Sequence, residues 1–158
     1  MSTTELWLLL FGIGFVAGLR AVTAPAAVVW GAHLGWLNLH GTPFAFLGST
    51  IAVAFFTIGA AGEFVTDQLP STPARTVPVQ FGARVVTGGF SGAALALAEG
   101  QSMFLGIALG ALGAVAGTLG GYHARHGLVT GLKLPDFAIA IPEDIVAVGL
   151  GLFIASRF

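Results

Sequence analysis

Three observations predict that this chain is an all-α integral membrane protein of about five transmembrane helices. It has 158 residues, of which 56% are hydrophobic and only 8% charged, where a soluble domain needs about 25% charged residues to coat its surface. Its apolar residues fall in runs near the length, roughly 20 residues as helix, that crosses a hydrocarbon core of about 30 Å. Short segments rich in proline, glycine and charge separate those runs, and the mean hydropathy is +0.92. On this composition soluble enzyme folds are excluded. A net charge of −1 offers no basic face for nucleic acid. The absence of cysteine excludes disulfides, thiolate metal sites and cysteine nucleophiles.

In chain order, the first apolar stretch covers residues 5–36, too long for one untilted crossing and too short for two. It contains Arg20 and Pro25, which predicts a broken or kinked helix. It lacks a basic leader and a convincing cleavage site, so it is expected to be retained. Residues 35–42 (G-W-L-N-L-H-G-T) form a polar turn, and Thr42-Pro43 reads as an N-cap with proline at the first helical position. That predicts a helix over 43–66. Residues 69–78, with three prolines and Arg75, are the expected central loop. Helices over 79–98 and 102–122 follow, joined by the E-G-Q turn at 99–101. Residues 123–135 are polar again, and 137–158 is the last apolar run. Within it, I-P-E-D (141–144) reads as a helix start with proline first and acids in the first turn. A helix over 142–157 would be about 24 Å long, so part of the segment 135–141 is expected to enter the membrane in extended form. With five crossings, Arg75, Arg125 and Lys133 share one side, and the positive-inside rule places that side and the N-terminus in the cytoplasm. The expected location is the bacterial cytoplasmic membrane.

The segments G-L-R-A-V-T (18–23) and G-A-R-V-V-T (82–87) share Gly, Arg, Val and Thr at an offset of 64 residues. A duplication would divide a single transmembrane domain, 1–158, into halves 1–68 and 79–158 joined by 69–78. Simple counting makes the copies parallel, and a re-entrant pass near the N-terminus would reverse that. Repeat-built membrane folds place their site at the repeat interface, which would bring Arg20 and Arg84 together.

Charges in apolar sequence are the candidate binding residues, because one at a helix centre costs on the order of 2.5–3.5 kcal/mol unless paired or hydrated. Arg20 is the deepest of them, and is a site residue, half of a structural ion pair, or carried to an interface by a break in the helix. Glu63 and Asp67, four apart, share a helix face and repel unless a cation, a proton or an arginine lies between them. Asp67 could instead be solvated and paired with Arg75. Glu143 and Asp144 either face a cavity from a helix N-terminus or favour its dipole at the interface. Arg84, taken alone, is within snorkelling reach of the headgroups. His123 and His126 lack a third ligand, so no metal site is expected; His33, His40, Glu99, Lys133 and Asp136 read as interface or loop residues. Gly106, Gly110, Gly113, Gly117 and Gly120 make a small-residue stripe for close helix packing, echoed by Gly14, Gly18, Gly88, Gly89 and Gly92. The partner helix is in the same chain or in another copy, and a homo-oligomer is expected. No catalytic motif, nucleotide loop or cofactor fingerprint is present.

The phrases G-L-R-A-V-T-A-P (18–25), E-x-x-x-D-x-L-P-x-x-P-x-R-T (63–76) and P-E-D-x-x-A (142–147) together resemble a family of small bacterial integral membrane proteins classed as a domain of unknown function. The resemblance covers nearly the whole chain and implies an all-helical membrane protein, with no activity or catalytic residue to carry over.

The leading expectation is a non-enzymatic, oligomeric transporter or channel in the lipid bilayer. Arg20, Glu63, Asp67, Arg84, Glu143 and Asp144 would line its polar cavity. Four acids against two arginines favour a cation or coupled protons, with the ion or solute left open. The alternative is a non-transporting assembly or lipid-binding module whose charges are structural ion pairs. A lipid-directed enzyme would have only the paired acids to work with.

Overall fold

The computed structural model describes residues 1–67, 75–132 and 136–158, with side chains described at all of these but 132 and 136–138. The described residues are helical, without a strand: α1 (Thr3–Leu19), α2 (Thr23–His33), α3 (Thr50–Thr66), α4 (Pro78–Ala98), α5 (Met103–Leu132) and α6 (Asp136–Ala155), plus a 3-10 turn at Ala45–Gly48. Two of them, α4 and α5, are long and apolar enough to cross a membrane.

The expected break in the first apolar run is a full reversal. Ser2 starts α1 by accepting the Glu5 N–H at 3.2 Å, the first half of a capping box. Arg20 ends it, in extended backbone with φ −141° and ψ 111°. α2 then begins at Thr23, and Pro25 stands at its third position, where a missing N–H leaves no helical bond unmade. α6 serves as a ruler for direction. Along α1, Gly12 abuts Ile154 and Arg20 meets Asp144, whereas along α2, Ala27 abuts Gly151 and Gly31 abuts Ala155. α1 is therefore antiparallel to α6 and α2 parallel to it, so α1 and α2 form a helical hairpin with Arg20 at its tip. α3 returns toward that tip: Trp30 Nε1 donates to Thr57 Oγ1 at 3.0 Å, Val22 packs by Gly59, and Glu63 reaches Ala21.

One consequence reverses an expectation. Glu5 and Arg157 pair at 3.2 Å, so both termini lie at one end of the bundle. Arg75 binds Glu143 near the other end, about 21 Å along α6 at 1.5 Å per residue. The N-terminus is thus at the end of the bundle opposite Arg75 and Arg125, because the chain reverses at Arg20 within the first apolar run. The two G-x-R-x-V-T copies also differ in conformation. The first bends through the hairpin tip, and the second lies inside the continuous helix α4.

Three boundaries differ from expectation. The helix predicted from Pro43 starts at Thr50, capped by Ser49 accepting from Ala52 N at 3.2 Å. Thr42 closes a tight turn instead, donating to Leu39 O at 2.8 Å and accepting from Phe44 N. α5 runs past residue 122 to Leu132, since nothing before Pro135 forbids helix; Tyr122 and His126, one turn apart, stack with ring centroids 6.2 Å apart. Pro142 lies inside α6, not at its start. In a helix the carbonyls of residues 136–141, except that of Ala138 four residues before Pro142, can pair with N–H groups one turn on, whereas an extended segment in apolar surroundings would leave them all unpaired. The remaining expected loop positions 68–74 and 133–135, Lys133 among them, lie outside the described residues, as does the Asp136 side chain.

The core is a three-helix contact of α1, α4 and α5 built on glycine. A Cβ on Gly14 would collide with the Gly110 carbonyl, on Gly88 with Gly110 O and Ala114, on Gly92 with Gly106, and on Gly117 with Phe15. The stripe's partners are helices of the same chain, so it no longer argues for self-association. Gly120 is not part of it, with open space where a Cβ would stand. The expected E-G-Q turn joins α4 to α5: Gly100 has φ +66°, Gln101 N donates to Ala96 O at 2.8 Å and Gly100 N to Leu97 O at 3.0 Å, a Schellman motif. Gly100→Ala forces a side chain into left-handed backbone, with a cost of about 1–2 kcal/mol. A thermal melt checks this, and Gly127→Ala, in open space on α5, is the control expected to leave stability unchanged or slightly raised.

Candidate functional site: a charged network at the hairpin tip

Four helices deliver charge to the hairpin tip. Arg20 is completely buried. Its Nε donates to Asp144 Oδ1 at 2.5 Å and its Nη1 to Asp67 Oδ2, so it clamps the end of α3 to α6. Nη2 lies 2.5 Å from the same Asp144 oxygen without making a hydrogen bond. The ring of Phe64 stacks against the guanidinium, 5.7 Å from Cζ to centroid, a cation–π contact strengthened by burial.

Glu63 does the local work of the hairpin. Its two oxygens accept the N–H groups of Ala21 (2.6 Å) and Val22 (2.8 Å), which no helical carbonyl can reach once the chain has reversed. These are charge-assisted bonds at a helix N-terminus, where a carboxylate is favoured by both geometry and dipole. The seat that broken-helix transporters offer to an anionic group is here filled by the protein's own carboxylate.

Arg84 points into the same cluster from α4 and is 2% exposed, so it is no headgroup anchor. It sits 3.9 Å from Glu63 Oε1 and 3.7 Å from Asp67 Oδ2, while its Nε and Nη1 have no hydrogen-bond partner. Asp67 therefore lies between two guanidiniums and hydrogen-bonds one of them. The sixth expected residue, Glu143, lies one step along α6 from Asp144. It takes Arg75 in a two-pronged pair, 2.6 and 3.0 Å, and has Arg125 Nη1 at 3.6 Å. Gly121 makes room for this pair: a Cβ there would stand 2.6 Å from Arg75 Nη1.

All six expected residues thus converge, and two more join them. Arg75 pairs with Glu143 and not with Asp67, and Arg125 belongs to α5 and not to a loop. Among the described side chains the network holds four arginines (Arg20, Arg75, Arg84, Arg125) and four acids (Glu63, Asp67, Glu143, Asp144). Among these described residues there is no acid surplus of the kind on which a cation preference was based. That surplus was itself the overlooked signal, since two unmatched carboxylates in apolar sequence call for two more cations.

The histidines stay outside the network. His33 shares a hydrogen bond with Gly48 O at 2.9 Å and, with His40, lines a groove by the connector between α2 and α3. His126 stacks on Tyr122, and His123 meets the same ring edge-on. Among the described residues there is no group of three metal-ligating side chains. A groove of about 500 Å³ between α1, α5 and α6 is apolar apart from Arg125 of α5 and Glu143 of α6. Comparison with protein families, with curated proteins and with solved structures finds no match to this chain.

Proposed function

We propose that the chain is a small membrane transporter whose gate is the hairpin-tip network, with transport linked to proton movement. The membrane setting is supported by large apolar side chains that face outward: Ile51, Phe55, Ile58 and Val65 on α3, Val79 and Val86 on α4, Phe104 and Leu112 on α5. Water penalises so much exposed apolar surface and lipid does not. In this reading α3 to α6 cross the bilayer and the α1–α2 hairpin enters and returns.

The observation that carries the reading is Asp67 between two arginines. One is hydrogen-bonded; the other, buried Arg84, has two donors unused. An unsatisfied buried guanidinium is costly, so a second arrangement in which Asp67 or Glu63 turns to Arg84 is close in energy. A proton on either carboxylate releases its arginine. If Glu63 lets go, the Ala21 and Val22 amides become free to hold an acceptor oxygen of a solute. Return of the proton to the opposite side resets the gate.

The test is proteoliposomes loaded with a pH-sensitive dye and challenged with a panel of ions and small solutes. Solute-dependent proton movement is expected with the wild-type protein, and at least tenfold less with Asp67→Asn, which keeps its size and one polar oxygen.

The alternative, a module held together by structural ion pairs, draws on the complete burial of Arg20 between two carboxylates. Under that alternative no solute moves protons above the rate in empty liposomes, and Asp67→Asn acts on stability alone. That result would overturn the transport reading.

A further inference from the structure

Between α2, α3 and α6, one turn from the hairpin tip, lies a slot of about 220 Å³. Alanine methyls of α2 and α3 and the rings of Trp30 and Phe64 form most of its wall. Thr23 also lines it, is 4% exposed, and its Oγ1 has no hydrogen-bond partner. The lack of a partner has a structural cause. Thr87, Ser91, Thr118 and Thr130 each donate to a carbonyl three or four residues back in their own helix. Thr23 stands immediately past the break, where the chain behind it runs the other way and offers no such carbonyl. Threonine in a helix occupies two χ1 wells, so one rotation presents the hydroxyl to the slot. Trp30, on the rim, already has its own partner in Thr57 at 3.0 Å.

Size and chemistry then specify the guest. A dry cavity of about 150 Å³ accepts benzene, so this slot accommodates a ring-sized apolar body with one substituent. Its walls carry no formal charge; of the two hydroxyls that line it, Thr57 accepts from Trp30, and Thr23 is the buried one without a partner. We propose that the slot binds a small uncharged amphiphile, an apolar body of about six heavy atoms bearing a single hydroxyl, which hydrogen-bonds Thr23. Phe64 connects the slot to the gate, because the ring that walls the slot also stacks on Arg20 at 5.7 Å. A guest that shifts Phe64 acts on the Arg20 clamp. That the guest is the transported solute rests on the transport reading; its binding does not.

Binding of 4-fluorophenol and 4-fluorotoluene to the detergent-purified protein, followed by fluorine NMR, tests this without any flux measurement. The expected result is saturable binding of both beyond micelle partition, with the phenol favoured by roughly fivefold, the worth of one neutral hydrogen bond. Thr23→Val, equal in shape, should erase that preference and leave the toluene unchanged. Ala61→Leu, at an exposed position lining the slot, should abolish saturable binding of both, with Ala26→Val as a second filling variant and a thermal melt to verify folding. Equal binding of the two probes marks the slot as a seat for a lipid tail and overturns the proposal. So does a preference that survives in Thr23→Val, or saturable binding that survives in both folded filling variants. Thr23-dependent binding with no solute-driven proton movement in liposomes upholds the site and overturns the transport reading alone.

Discussion

Arg20→Met is expected to destabilise the bundle by about 3–5 kcal/mol, the cost of leaving buried carboxylates without their cation. The variant keeps the apolar stem as far as the Nε position and much of the side-chain volume, so most of the loss reports the missing guanidinium charge and its hydrogen bonds. Asp67 and Asp144 would both lose their hydrogen-bonded partner, and the ends of α3 and α6 would lose the clamp between them. The triple variant Arg20→Met/Asp67→Asn/Asp144→Asn should regain at least half of the loss, because neutral amides no longer need a buried cation. Arg157→Met is the contrast. Its pair with Glu5 is solvent-exposed, and exposed pairs contribute about 0–1 kcal/mol. Denaturant titration in detergent, monitored by Trp fluorescence, would check the series. An Arg20→Met protein as stable as the wild type would show that the guanidinium is hydrated, which is incompatible with a closed gate.

Gly110→Leu is expected to prevent α1, α4 and α5 from packing at all, so that purified protein is aggregated or lacks a cooperative transition. Overpacking a core by a few methylenes costs about 1–3 kcal/mol when side chains can shift. Here the obstacle is backbone on two sides: Gly88 O lies where the new Cβ would stand, and Gly14 on α1 is packed against the Gly110 carbonyl. Backbone in a helix cannot step aside without moving the helix. Gly120→Leu, on the same helix in open space, should fold normally. Size-exclusion elution with a thermal melt separates the two, and a well-folded Gly110→Leu would refute the three-helix contact.

How much of this was legible in the residues depends on the range of the interaction. Helices follow from local composition, and α4 and α5 begin and end within a few residues of expectation, except where α5 continues through Y-H-A-R-H-G. That continuation was hidden because polarity was read as a loop, while helix needs only the absence of a breaker. Pro142 misled in the opposite direction: proline at the start of a helix and proline inside one have the same spelling, and the neighbouring helices decide between them.

The six candidate charges were readable because charge in apolar sequence is costly and must have a reason. Arg75 and Arg125 were hidden because their surroundings are polar, and a charge there needs no explanation until the chain folds over it. The sequence by itself determined the helical class, the small-residue face and the charges that require partners, all of which follow from local free energies of solvation and backbone geometry. Only the tertiary structure decided who pairs with whom, and that the first apolar run reverses at Arg20. No glycine or proline stands at residues 20–22 to break the helix; Glu63, 41 residues away, accepts the amides that the reversal leaves unpaired. A turn held by a distant carboxylate has no local signature, because its stabilising free energy resides in a contact between segments and not in either segment alone.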